Sequence, residues 1–158
     1  MKKKLTALFA AIICLTGFSF AKQPGPGEPT TMKIGFTKKF TSLDIKNDVN
    51  VVLTASDGNE ILIKGEREDV KRVRATVSNG CLTVWMANGM SNKYVTVYVP
   101  AALLDQVIVN GDSNVQTETV LTNPRLDVEI NGECSINIRS LGKVEVRNGT
   151  EFEFVRNR

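Results

Sequence analysis

Three acidic residues, Asp48, Asp112 and Glu133, each stand one place after an Asn or Gly in stretches of similar pattern. If those stretches stack as neighbouring strands, Asp112 and Glu133 project from one edge about 5 Å apart. Like charges that close repel, and a Ca²⁺ ion would relieve the repulsion through oxygen ligands. A solvated turn whose carboxylates splay into water explains the same residues and is the reading the sequence favours, so no metal or cofactor is expected. Trp85, Tyr94 and Tyr98 are the chain's only Trp and Tyr residues and fall on two candidate neighbouring strands. Such a pair of strands can offer an aromatic platform to a sugar ring, although cross-strand packing is the plainer use of these side chains. Cys81 and Cys134 would join two distant parts of the chain if bonded, and small packed thiols suit both positions equally well.

Histidine is absent, which excludes Ser-His-Asp and Cys-His catalysis and the common histidine-containing zinc sites. Cys81 and Cys134 alone cannot supply a four-thiolate zinc site. No Walker loop occurs, nor a Gly-x-Gly-x-x-Gly after a strand, so nucleotide chemistry has no support.

The N-terminus explains the apparent basicity. Lys2, Lys3 and Lys4 precede an apolar run over 5–18 and then Ser19, Phe20 and Ala21, the pattern of a signal peptide over 1–21. The run is shorter than the ~20 residues a membrane span needs. Cys14 lacks the small residue just ahead of it that lipoprotein processing requires. The whole chain has 20 Lys plus Arg against 17 Asp plus Glu, and removal of the leader leaves 17 of each. That balance argues against nucleic acid as a partner, which would need a net basic face. Residues 22–31 (KQPGPGEPTT) hold three prolines and two glycines and read as a flexible tether, leaving 32–158 as one domain.

The elements that must position these residues show in a repeated eleven-position template. It covers 43–53 (LDIKNDVNVVL), 107–117 (VIVNGDSNVQT), 128–138 (VEINGECSINI) and 144–154 (VEVRNGTEFEF). Positions one, three and nine are apolar in every copy of a chain that is 42% apolar overall, which makes a chance match implausible. Position five holds Asn47, Gly111, Gly132 and Asn148, types that tolerate a left-handed backbone, so each copy reads as strand, bend, strand. A two-armed unit cannot bury its apolar face alone, whereas stacked copies cover one another. Asn110 and Asn131, at position four, would hydrogen-bond along such a stack. Asn79-Gly80 signals a hairpin, and 67–74 is the only segment with a helical look. The expectation is an all-β fold: a short right-handed β-helix or solenoid-like stack with an N-terminal antiparallel hairpin region, the alternative being a β-sandwich.

The segments 40–53 (FTSLDIKNDVNVVL), 80–84 (GCLTV), 95–100 (VTVYVP), 108–115 (IVNGDSNV) and 129–138 (EINGECSINI), with the Asp57-Gly58 turn, occur in an order that resembles the head GIN domain family of auto-transporter adhesins. The resemblance covers the chain from about Met32 onward. It implies a β-helix-like, mostly parallel fold, export to the envelope or surface, and an adhesive or scaffolding role without catalytic residues. The function expected is thus a non-enzymatic, exported adhesin-like or structural envelope module in the periplasm, at the cell surface or outside the cell. A carbohydrate-binding module is the alternative, and a polysaccharide lyase a more distant one. Partners of the expected kind are a cell-surface protein or glycan, or a second copy meeting the open edges of the stack.

Overall fold

The structure, a computed structural model, describes residues 29–47, 49–87 and 95–148. Alternation of apolar and polar side chains makes strands with one inward face. Those described are β1 (Pro29–Gly35), β2 (Ser42–Lys46), β3 (Asn50–Thr54), β4 (Glu60–Glu66), β5 (Val73–Ser78), β6 (Cys81–Met86), β7 (Thr96–Pro100), β8 (Gln106–Asn110), β9 (Asn114–Thr117), β10 (Arg125–Ile130), β11 (Ser135–Asn137) and β12 (Lys143–Asn148). One turn of helix, α1 (Arg67–Val70), joins β4 to β5 and buries Val70. The tether expected through residue 31 ends sooner, because Pro29, Thr30 and Thr31 already pair with β4.

The strands form two mixed six-stranded sheets. The first runs β1-β4-β7-β3-β9-β11 and the second β12-β10-β8-β2-β6-β5. Each two-armed unit places its first arm in the second sheet and its second arm in the first: β2 with β3, β8 with β9, β10 with β11. The adjoining pair β6 and β7 does the same. Within each sheet these arms pair in parallel, while β1, β4 and β5 add antiparallel strands. A solenoid advancing one coil at a time along the chain is not what is seen. The β2–β3 unit lies between the β8–β9 unit and the β6–β7 pair, and the two sheets enclose one core as a sandwich would. From the second sheet Leu43, Ile45, Leu82, Val84, Val107, Val109, Leu126 and Val128 point inward. From the first come Val51, Leu53, Ile61, Ile63, Val97, Val99 and Val115. Each is essentially solvent-free, worth about 1.5–3 kcal/mol per side chain relative to exposure.

The bends stack directly. A Cβ at Gly111 would lie 2.9 Å from the Asn47 carbonyl oxygen, and one at Gly132 would lie 2.7 Å from that of Gly111. Asn47 (φ 61°) and Gly111 (φ 144°) take the left-handed backbone. Gly132 does not, and its glycine is explained by the close approach of the neighbouring bend. The fourth template copy slips by two residues. Val109 is level with Ile130, but Val146 is level with Val128, and Asn148 pairs with Ile130 within a strand rather than turning a bend.

Candidate functional site

The residues that alternate with the core on the second sheet form its outer face, and the pairing fixes their rows. Thr76 lies opposite Thr83 and Arg74 opposite Trp85 across the β5–β6 hairpin, whose turn uses Asn79 (φ 50°) and Gly80 (φ 76°). On the other flank of β6, parallel β2 sets Asp44 level with Thr83. A shallow depression of about 310 Å³ opens here, lined by Lys46, Asn47, Thr76, Thr83 and Trp85. Trp85 is half-buried and lines this depression.

The polar groups around the depression are graded in how firmly they are held. Asn47 donates from Nδ2 to the Met86 carbonyl at 3.3 Å, tying the first bend to the end of β6. Asp44 accepts from Asn110 Nδ2 at 2.7 Å, and Asn110 in turn accepts from Asn131 Nδ2 at 3.0 Å. Asn131 also donates to Glu129 Oε1 at 3.0 Å. This is the side-chain ladder along the stack that the template positions predicted. The other Asp44 oxygen is 3.5 Å from Lys46 Nζ, longer than the ~2.7–2.9 Å of a firm charge-assisted bond. Arg74 donates from Nη1 to the Lys71 and Val73 carbonyls, at 2.5 and 3.1 Å.

The far end of the same face differs. Glu145 meets Arg125 at 2.9 Å and also pairs with Lys143, while Arg125 pairs with Asp127 at 3.0 Å. The Lys143 hydrogen bond, then the charges of Arg125 and Lys143, hold the Glu145 carboxyl below the usual range. Asp127 and Glu145 raise Arg125. Acids and bases there neutralise one another at short range, whereas at the Trp85 end Lys46 has only the longer contact with Asp44.

Trp85 and Tyr98, two of the three aromatics that could have formed a platform, lie on different sheets. Tyr98 lies on the outer face of the first sheet, level with Val52 and Leu62, with Lys64 Nζ 4.5 Å from its ring centroid. Trp85 belongs to the other sheet, and Tyr94 falls outside the described residues, as does Asp48. Cys81 and Cys134 are free thiols: Cys81 pairs with Ser42 and Ser78 in the second sheet, and Cys134 follows the third bend into the first. Burial, with a smaller contribution from the Asp112 charge, pushes the Cys134 thiol up. Asp112 and Glu133 are exposed beside the stacked glycines. Among the described residues no three His, Cys, Asp or Glu side chains gather as a metal site. Sequence reasoning missed Lys46, Thr76 and Thr83. The hairpin register counted from Asn79-Gly80 already placed Thr76 against Thr83 and Arg74 against Trp85, but nothing local announced β2 as the next neighbour.

Residues 39–153 match the family described as "Putative auto-transporter adhesin, head GIN domain". Among solved structures, a putative adhesin from Parabacteroides merdae is similar over 78% of this chain and 54% of its own, at 18% identity and a TM-score of 0.62. A putative adhesin from Bacteroides fragilis is similar over 75% and 61%, at 19% identity and 0.52. A putative lipid binding protein from Parabacteroides distasonis is similar over 78% and 61%, at 12% identity and 0.50. The chain therefore spans less than two thirds of the length of these relatives, and the likeness at these identities concerns the fold. No curated protein matches the sequence. No helix among the described residues is long and apolar enough to cross a membrane.

Proposed function

The chain belongs to the putative auto-transporter adhesin, head GIN domain family, and from that membership we propose that it is an exported, non-enzymatic adhesive module. Its parallel two-armed units act as a two-sheet scaffold that holds a binding face rigid. The observation that carries this reading is the outer face of the second sheet. Side chains there stand in rows set by backbone pairing, cross-braced by the Asp44–Asn110–Asn131 ladder, with a single indole presented at one end. Such a surface is organised before any partner arrives, which lowers the ordering cost of binding. The leader pattern over 1–21 supports export.

The test is binding of the purified protein to plates coated with envelope polysaccharides and extracellular-matrix proteins. Saturable binding to one class of surface, unaccompanied by release of new reducing ends from acidic polysaccharide, is the expected result. Turnover of the polysaccharide, or no retention on any surface, would overturn the reading.

A further inference from the structure

We propose that the depression around Trp85 binds an acidic sugar, a hexuronate residue of a glycan, with the ring lying on the indole and its carboxylate on Lys46. This inference rests on the adhesive reading and names the ligand class of its face. Four observations carry it. The cavity of about 310 Å³ lies at the small end of the roughly 300–1,000 Å³ typical of ligand pockets, which suits one ring rather than an acyl chain. Its lining is one aromatic plane, two hydroxyls, an amide and an ammonium. An indole face pairs with the apolar C–H face of a pyranose, and hydroxyls that both donate and accept suit the sugar's own hydroxyls.

The charge sets the sign of the ligand. Lys46 is exposed and only loosely engaged by Asp44 at 3.5 Å, while the other oxygen of Asp44 is occupied by Asn110 at 2.7 Å. The ammonium has three donors and is free to turn them toward an incoming carboxylate. Arg74, opposite Trp85 in the pairing, keeps its Nη1 on the Lys71 and Val73 carbonyls, so Lys46 is the cation that lines the depression. Thr76 and Thr83 lie side by side in the row below the indole, so a ring seated on Trp85 has paired hydroxyls along one edge and Lys46 along another. A neutral sugar would use the indole and the hydroxyls and leave Lys46 without a new partner.

Trp85 is the chain's only tryptophan, so its emission reports this site alone. The experiment titrates the protein with a galacturonate trisaccharide and, separately, with the neutral galactose trisaccharide. The expected result is a saturable emission change with the uronate and at least about tenfold weaker binding of the neutral sugar, the size of one charge-assisted hydrogen bond. Raising the salt should weaken only the uronate, because the pair is exposed to solvent. Lys46→Gln should bring uronate affinity down about tenfold, to the level of the neutral sugar, with an unchanged melting temperature, and Lys46→Arg should preserve it. Thr83→Val should weaken both sugars. Equal affinity for the two sugars, indifference to Lys46→Gln, or no emission change would overturn the assignment. If the wild-type protein and Lys46→Gln are retained equally on a coated surface, this site fails while the adhesive reading stands. Absence of wild-type retention sinks both.

Discussion

Replacing Gly132 by Ala probes the stacked bends on which the whole outer face depends. The new Cβ would sit 2.7 Å from the Gly111 carbonyl oxygen, 2.8 Å from its nitrogen and 2.9 Å from its carbonyl carbon. Favourable contact needs about 3.5–4.0 Å between carbons, so every one of these distances is repulsive. None of the three atoms is the end of a flexible side chain. They belong to a backbone segment anchored by Ser113 N–H to Gly111 O at 3.1 Å and by Ser135 N–H to Ser113 O at 3.0 Å. Relief therefore requires the two bends to separate, which strains or breaks the bond that starts the pairing of β11 with β9.

Overpacking of this kind costs about 1–3 kcal/mol. Loss of one backbone hydrogen bond adds about 1 kcal/mol, and the stiffer unfolded chain returns about 0.4–1 kcal/mol. The net expectation is a loss of about 2 kcal/mol. Gly111→Ala should cost more, because the Asn47 carbonyl lies 2.9 Å from its Cβ and a left-handed φ of 144° adds roughly 1–3 kcal/mol of strain. Gly35→Ala meets nothing within 4 Å and should be neutral or slightly stabilising. Urea unfolding followed by circular dichroism and by Trp85 emission measures all three. With a slope of about 1–3 kcal/mol per molar, Gly132→Ala should move the midpoint down by about 1 M. A Gly132→Ala protein as stable as Gly35→Ala would refute the direct stacking of the bends.

Asn123, buried at 3% exposure, donates from Nδ2 to the carbonyls of Ala101 and Leu104 at 2.7 and 2.8 Å. Asn123→Ala takes the donor from the Leu104 carbonyl, while the Ala101 carbonyl keeps Leu104 N–H at 3.1 Å and the unpartnered buried Oδ1 is removed with the side chain, so the expected cost in the same urea assay is about 1–3 kcal/mol. Peptide mapping should find Cys81 and Cys134 unbonded. Cys134 should alkylate slowly at pH 8, because burial and Asp112 suppress its thiolate, and Asp112→Asn should recover only part of the rate, burial being the larger cause. Glu145 titrates below its unfolded value, so its ion pairs stabilise the fold above the carboxylate range and cease to do so as pH falls through the lowered value. The melting-temperature gap between wild type and Glu145→Gln should be small at neutral pH, where the group faces water, and should close in acid. A gap that widens in acid would contradict this assignment.

The hairpin register and the inward face of each arm were legible because both are local. Asn79-Gly80 fixes which residues oppose across β5 and β6, and alternation fixes which side of a strand is apolar. Two other features were hidden, for one shared reason. Alternation has a period of two, so a slip by two residues preserves every inward side chain; Val144 satisfies the core whether it stands level with Val128 or with Leu126. What selects Leu126 is the path of the connection after β11. Leu121 N–H bonds Arg139 O, Leu141 N–H bonds Leu121 O, Lys143 N–H bonds Pro124 O, and Gly142 passes so close that a Cβ would lie 1.9 Å from the Asn123 carbonyl oxygen. The parallel bridge between two loops at Leu121 and Ser140, not the strand pattern, sets the register of β12 and removes Asn148 from the bends. The same blindness applies to the site. Parallel pairing between segments far apart in sequence leaves no local mark, so the neighbour of Trp85 across β6 could not be read from the residues around it. Once β2 takes that place, Lys46 needs no further device to reach the indole, because outward parity on β2 and β6 directs both side chains to the same surface.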